Sequence, residues 1–171
     1  MALSVRRPYR LLIEGFLKRL LELYPNKVIS VAVFGSVARG NPTSKSDVDL
    51  LIIMKGLGVR SRMKRYNMIV DAINAVEELR VKLTERGVYT GISPVILDLE
   101  EAKYFRPLYL DVAYDAIILY DKGGFLESLL KRVMRIVEKY GGKRIWTGRT
   151  WHWVFTKGNP LVELCGVKII E

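Results

Sequence analysis

Two apolar runs, Val28 to Phe34 and Asp47 to Met54, are joined by a segment that opens on Gly35-Ser36, and the second run begins with Asp47-Val48-Asp49. No other feature constrains the fold as much. Each run has the length and β-branched character of a buried strand, so the polar residues that bound them belong at strand ends. Side chains alternate along a strand with period two, which sends Asp47 and Asp49 to one side, about 7 Å apart. Two carboxylates aimed at one point repel each other unless a cation stands between them. Mg²⁺ held by carboxylates and by substrate phosphates would neutralise the pair. Gly35 has no Cβ to block an approaching phosphate, and Ser36 adds a hydroxyl and the first N–H groups of a helical turn. A triphosphate between that turn and a carboxylate-bound metal is the arrangement that phosphoryl and nucleotidyl transfer require.

The rest of the chain alternates helical and extended patterns. Leu12, Ile13, Phe16, Leu17, Leu20 and Leu23 recur at helical spacing, which predicts an amphipathic helix over Tyr9 to Tyr24. Ser36 to Gly40 reads as a brief helical turn. A single helix from Arg60 to Arg86, the longest of the chain, is expected from Met63, Ile69, Ile73, Val76, Leu79 and Leu83. Tyr89 to Leu97 reads as a third strand, and Pro94 suits an edge. Asp98 is placed to cap a short helix running to Phe105, with Glu100 and Glu101 in its first turn. Pro107 opens another short helix, Ala116 to Tyr120 forms a fourth strand, and Phe125 to Tyr140 a last long helix stopped by Gly141-Gly142. The expected class is α/β (α+β), a mixed β-sheet with packed helices and a C-terminal extension. We divide it into residues 1–141 as the main domain and 142–171 as an aromatic, basic extension packed on the same domain.

Composition removes several function classes. With 171 residues, 50% hydrophobic and 27% charged, the chain suits one packed core rather than a disordered polymer. No apolar stretch approaches the roughly 20 residues that span a bilayer. Arg6, Arg7 and Arg10 precede a segment interrupted by Glu14, Lys18 and Arg19, unlike a signal peptide. A cytoplasmic location without membrane partners follows as an expectation. Cys165 and His152 are each alone in the sequence, which excludes an intramolecular disulfide and a cysteine-rich zinc site. Cys165 reads as a small packed residue and His152 as structural. The excess of 28 Lys and Arg over 18 Asp and Glu favours polyanionic partners such as nucleotides or RNA.

Gly35-Ser36, ten intervening residues, then Asp47-Val48-Asp49 resembles the signature of the DNA polymerase β-like nucleotidyltransferase superfamily, in its minimal nucleotidyltransferase branch. The resemblance covers roughly Val28 to Met54. It implies a Mg²⁺-dependent enzyme that binds ATP or another NTP and moves a nucleoside monophosphate, AMP from ATP first, onto a hydroxyl acceptor. Asp47 and Asp49 are then the catalytic and metal-binding residues, and Gly35, Ser36 and Arg39 the nucleotide-binding set. Many members of that branch are antitoxins that modify a tyrosine on a HEPN-type toxin, so such a toxin is an implied partner. The family also places a third carboxylate on a later strand. Hand alignment puts Val95 there, and Asp98, three residues on, is the nearest substitute, with helix capping as its competing role.

Each of these residues has a plainer use. Arg39 is placed either to contact phosphates or to face solvent. Lys55, Arg60, Arg62, Lys64 and Arg65 could neutralise RNA phosphates, but a solvated helix start is the preferred reading. Trp146, Trp151, Trp153 and Phe155, interleaved with Arg144, Arg149, His152 and Lys157, could stack on bases. Closing a hairpin over the core is the favoured use. Two rival functions are carried alongside the enzyme: a binding module that keeps the nucleotide pocket and acts through a protein or RNA partner, and an aminoglycoside-type transferase acting on a small molecule.

Overall fold

The computed structural model describes residue 5, residues 7–148 and residues 150–171. Arg6 and Arg149 lie outside the described residues. Its centre is a four-stranded sheet of β1 (Val28–Phe34), β2 (Val48–Met54), β3 (Ile92–Asp98) and β4 (Ile117–Asp121), in the spatial order β3-β2-β1-β4. β1 runs antiparallel to both β2 and β4, whereas β2 and β3 are parallel, so the sheet is mixed as expected. β3 is an edge strand, which is where Pro94 costs no ladder hydrogen bond.

Helices cover both faces. On one side, α1 (Arg7–Leu23), α3 (Arg62–Asn74) and α4 (Glu77–Glu85) pack over Val31, Val33, Leu50 and Ile52. On the other, the four-residue α5 (Leu99–Ala102), α6 (Leu108–Asp115) and α7 (Phe125–Lys139) pack over Ala32, Leu51, Ile53 and Leu97. Among the described residues no helix is long and apolar enough to cross a membrane. The central strands are apolar on both faces because both faces are covered.

The helix expected over Arg60 to Arg86 is two helices. The chain breaks at Ala75 and Val76, and α1, with 17 residues, is longer than either half. The reason is tertiary: Val76 is 5% exposed and sits so close to α1 that a Cβ on Gly15 would stand 2.9 Å from its Cγ1. Breaking the helix drives that valine into the core, and Glu77 and Glu78 then fall in the first turn of α4, where the helix dipole favours acids. The basic run is also not uniformly solvated. Arg65 is buried and its guanidinium binds Glu101 in a fork at 2.6 and 2.7 Å.

The extension forms an antiparallel hairpin, β5 (Lys143–Thr147) and β6 (Thr150–Val154), followed by the short α8 (Pro160–Glu163). Period-two alternation turns Trp151, Trp153 and Phe155 inward and leaves His152 exposed, so these three close a hairpin, the favoured reading, whereas Trp146 is exposed, which corrects that reading for it. Pro160 is buried and Leu161 and Leu164 half-buried, and they are the inward residues of the segment around α8. Cys165 follows them and is exposed, which corrects its expected burial.

Candidate active site

The site lies where β1 ends and β2 and β3 begin. Pairing of Phe34 with Asp49 across the β1–β2 ladder brings Gly35 against the Asp49 carboxylate. Gly35 has φ +73°, and a Cβ built there would collide with Asp49 Oδ2. Glycine is therefore required twice, by the left-handed backbone and by the lack of space. From Gly35 the chain enters α2 (Gly35–Ala38), a single turn whose first N–H groups have no intrahelical partners, with half-buried Ser36 within it.

Asp47 precedes β2 and is exposed, and its Oδ1 accepts a 2.9 Å hydrogen bond from the Gly91 N–H at the approach to β3. Asp49 lies within β2 and is half-buried. Burial is the main force pushing the Asp49 carboxyl above the ordinary carboxylate range, and the Asp47 charge adds to it. A hydrogen bond from Ser93 and the positive charge of Arg39 act the other way without cancelling it. The two carboxylates thus meet at one end of the sheet in a state that an added cation would relieve. Two carboxylate donors with an open outer face suit Mg²⁺, which ordinarily takes one or two carboxylates and completes its shell with phosphate and water.

The third acid is missing from the place where it was sought. β2–β3 register sets Ser93, not Val95, beside Asp49, while Val95 pairs with Leu51 deeper in the sheet. Asp98 lies at the far end of β3, opposite Met54, about 16 Å along the strand from Ser93. Its Oδ1 caps α5, accepting from Glu100 N at 2.9 Å, and its Oδ2 accepts from Leu57 N at 2.7 Å in the segment after β2, so structural hydrogen bonds engage both oxygens. Among the described residues no group of three or more His, Cys, Asp or Glu side chains could hold a metal ion.

Arg39, the residue after α2, neither stands free in solvent nor points alone at the turn. Its Nη1 is 2.8 Å from Asp115 Oδ2, and its guanidinium lies 4.4 Å from the centre of the Trp151 ring. The other Asp115 oxygen holds Arg144 Nη1 at 2.7 Å. Arg144 in turn sits within 4.9 to 5.8 Å of Tyr114, Trp146, Trp151 and Trp153. Both inward tryptophans donate their indole N–H to Asp111, at 2.8 and 3.0 Å. The Gly-Ser turn, the end of α6 and the hairpin are therefore tied together through Arg39 and Asp115. Sequence reading missed Asp111, Asp115 and Ser93, because nothing local marks an acid or a serine as the neighbour of a residue dozens of positions away.

The sequence profile of the nucleotidyltransferase domain family matches residues 13–143. A Methanocaldococcus jannaschii protein, named for an inferred protein adenylyltransferase activity, is 28% identical over 130 residues, which make up 75% of this chain and 82% of that one. A crystal structure from Sulfolobus solfataricus, named for an inferred nucleotidyltransferase activity, is 21% identical with a TM-score of 0.43 and covers 67% of this chain and 83% of its own. A toxin-antitoxin structure with AMP-PNP is 15% identical with a TM-score of 0.44 and covers 75% and 92%. The profile match spans well over half of the chain, from α1 across the whole central sheet, and the chain belongs to the nucleotidyltransferase domain family.

Proposed function

We propose that the protein is a Mg²⁺-dependent nucleotidyltransferase that moves AMP from ATP onto a hydroxyl of a protein. The observation that carries this reading is the contact between Gly35 and the Asp49 carboxylate, beside Asp47, at the open end of the sheet. Asp47 and Asp49 would hold the metal, which supplies charge neutralisation of the triphosphate and of departing pyrophosphate. Gly35 lets phosphate oxygens approach the backbone, Ser36 offers its hydroxyl and the α2 turn its N–H groups, and Arg39 contributes positive charge held in place by Asp115. The acceptor oxygen bonds to the α-phosphorus, the bond from that phosphorus to the β-phosphate oxygen breaks, and the acceptor proton passes to water. A protein acceptor is supported by the adenylyltransferase name of the 28% identical relative. A tyrosine of a HEPN-type toxin is the acceptor that the minimal-branch resemblance implies, and an antitoxin role would follow from it.

Ser93 at the position beside Asp49 favours a second reading, a nucleotide-binding module that acts by engaging a partner and has weak turnover or none. Transfer of label from α-labelled ATP with Mg²⁺ to protein in extract of the source cells, compared between wild type and Asp49→Asn, separates them. A product that needs Asp49 supports the enzyme. No transfer from any of the four NTPs, by a folded protein that still binds nucleotide, supports the module.

A further inference from the structure

Arg39 ends the α2 turn, its backbone N–H donating to the Gly35 carbonyl at 3.1 Å, so it stands one helical turn from the glycine that faces Asp49. Its side chain is 17% exposed, and its positive charge is felt at Asp49. An arginine in this place serves a triphosphate only if it is both held and left charged. A carboxylate of its own would orient it and cancel its charge together. Here the carboxylate is divided: one Asp115 oxygen takes Arg39 at 2.8 Å and the other takes Arg144 at 2.7 Å. The second support of Arg39 is the face of Trp151, 4.4 Å from the guanidinium. An aromatic face attracts a cation through its quadrupole and carries no net charge, so it orients the guanidinium without neutralising it. Trp151 is itself fixed, by an indole N–H that donates to Asp111 at 2.8 Å and by the Trp146 ring, whose centre lies 4.9 Å from its own.

We infer that Trp151 is a positioning residue for nucleotide binding, which holds the Arg39 guanidinium beside the Gly35-Ser36 turn with its charge available to the triphosphate. The hairpin is then a working part of the nucleotide site and not only a cover for the core. This rests on the reading of the Gly35-Ser36 turn and of Asp47 and Asp49 as that site. Trp151 contacts no reacting atom and acts through Arg39. The family profile ends at residue 143, where β5 begins, so Trp151 lies beyond the segment that the profile describes. Long side chains such as arginine lose much rotamer freedom on binding, and a guanidinium ordered beforehand has that loss behind it. The benefit falls on the phosphate end of the ligand, because that is where a positive charge finds its partner.

Titration of the full chain with ATP and Mg²⁺, followed by the amide chemical shifts of Gly35 and Ser36, tests the inference. Wild type should respond saturably; if those amides stay fixed, the nucleotide-site reading fails and the role of Trp151 falls with it. Two replacements then separate positioning from plain packing. Trp151→Phe keeps an aromatic face over Arg39, whereas Trp151→Leu keeps an apolar side chain without one, and both lose the hydrogen bond to Asp111. The leucine variant should bind ATP about fivefold more weakly or worse, and the phenylalanine variant within about twofold of wild type, although the two melt together. His152→Ala, on the outer face of the same strand, should bind as wild type does. In the unmodified protein the Trp151 indole N–H signal should shift with the same midpoint as Gly35 and Ser36, a readout that serves if Trp151→Leu does not fold. Equal weakening by leucine and phenylalanine, wild-type affinity in the leucine variant, or an indole signal that stays fixed while Gly35 and Ser36 titrate would overturn the proposal.

Discussion

Replacing Asp115 with alanine should strip two guanidinium groups of their common partner. The Asp115 side chain is 7% exposed and holds Arg39 at 2.8 Å and Arg144 at 2.7 Å, and those side chains are themselves 17% and 10% exposed. Removing one member of a buried ion pair costs about 3–5 kcal/mol, because the charge left behind has no water to return to. Arg144 keeps Asp111 at 3.6 Å and its aromatic surroundings, which places the expected loss near the low end, about 3 kcal/mol. For a domain of this length about 2–4 °C of melting temperature accompanies each kcal/mol, so a fall of roughly 6–12 °C is expected. Urea unfolding followed by far-UV circular dichroism and by tryptophan fluorescence provides the assay. All three tryptophans stand in the hairpin, so fluorescence reports that corner while dichroism reports the helices. Coincident transitions in wild type that separate in Asp115→Ala would mean the hairpin detaches on its own. A loss below about 1 kcal/mol with an unchanged slope would refute the reasoning, since the two arginines would then not depend on this carboxylate.

Asp49→Asn should abolish label transfer yet raise the melting temperature in metal-free buffer at pH 7. Folding raises the Asp49 pKa above 3.8, so the ionised carboxylate opposes folding at neutral pH, and the advantage of asparagine should vanish below that value; equal melting at pH 7 would contradict it. Glu101 has the opposite sign. Its hydrogen bond from Arg65 lowers the pKa below 4.5, so its stabilisation is complete above 4.5 and is lost as pH falls through the lower folded value, and Glu101→Gln should flatten the acid limb of a melting-temperature profile. Gly35→Ala should cost at least about 1 kcal/mol from the positive φ and reduce transfer more than a hundredfold, because the new methyl meets Asp49; activity within tenfold of wild type would rule out the close approach. Gly15→Val should destabilise by about 1–3 kcal/mol in thermal unfolding through overpacking against Val76.

Much of this molecule follows from rules that act over a few residues. Strand periodicity and the turn chemistry of Gly35-Ser36 are enough to put a glycine, a serine and two carboxylates at strand ends, and Pro94 on an edge and Asp98 as a cap follow from backbone chemistry alone. Alternation in Trp151, Trp153 and Phe155 likewise announces a hairpin with one inward face. Three other features depend on partners far away along the chain. The break at Ala75 and Val76 exists because α1 offers Gly15 as a space for a valine, and helical spacing by itself runs straight through it. Ser93 rather than Val95 neighbours Asp49 because strand register is decided by the whole parallel pairing of β2 with β3, where a slip of two residues keeps every side chain on its face and leaves no local mark. Arg39 is bound to Asp115 and Trp151 only once α6 and the hairpin have packed on the same side of the sheet, 76 and 112 positions on from it in the chain. Local sequence determines which chemistry the strand ends carry; packing decides which of those groups meet, because burial and register are properties of the assembled layers and of no single segment.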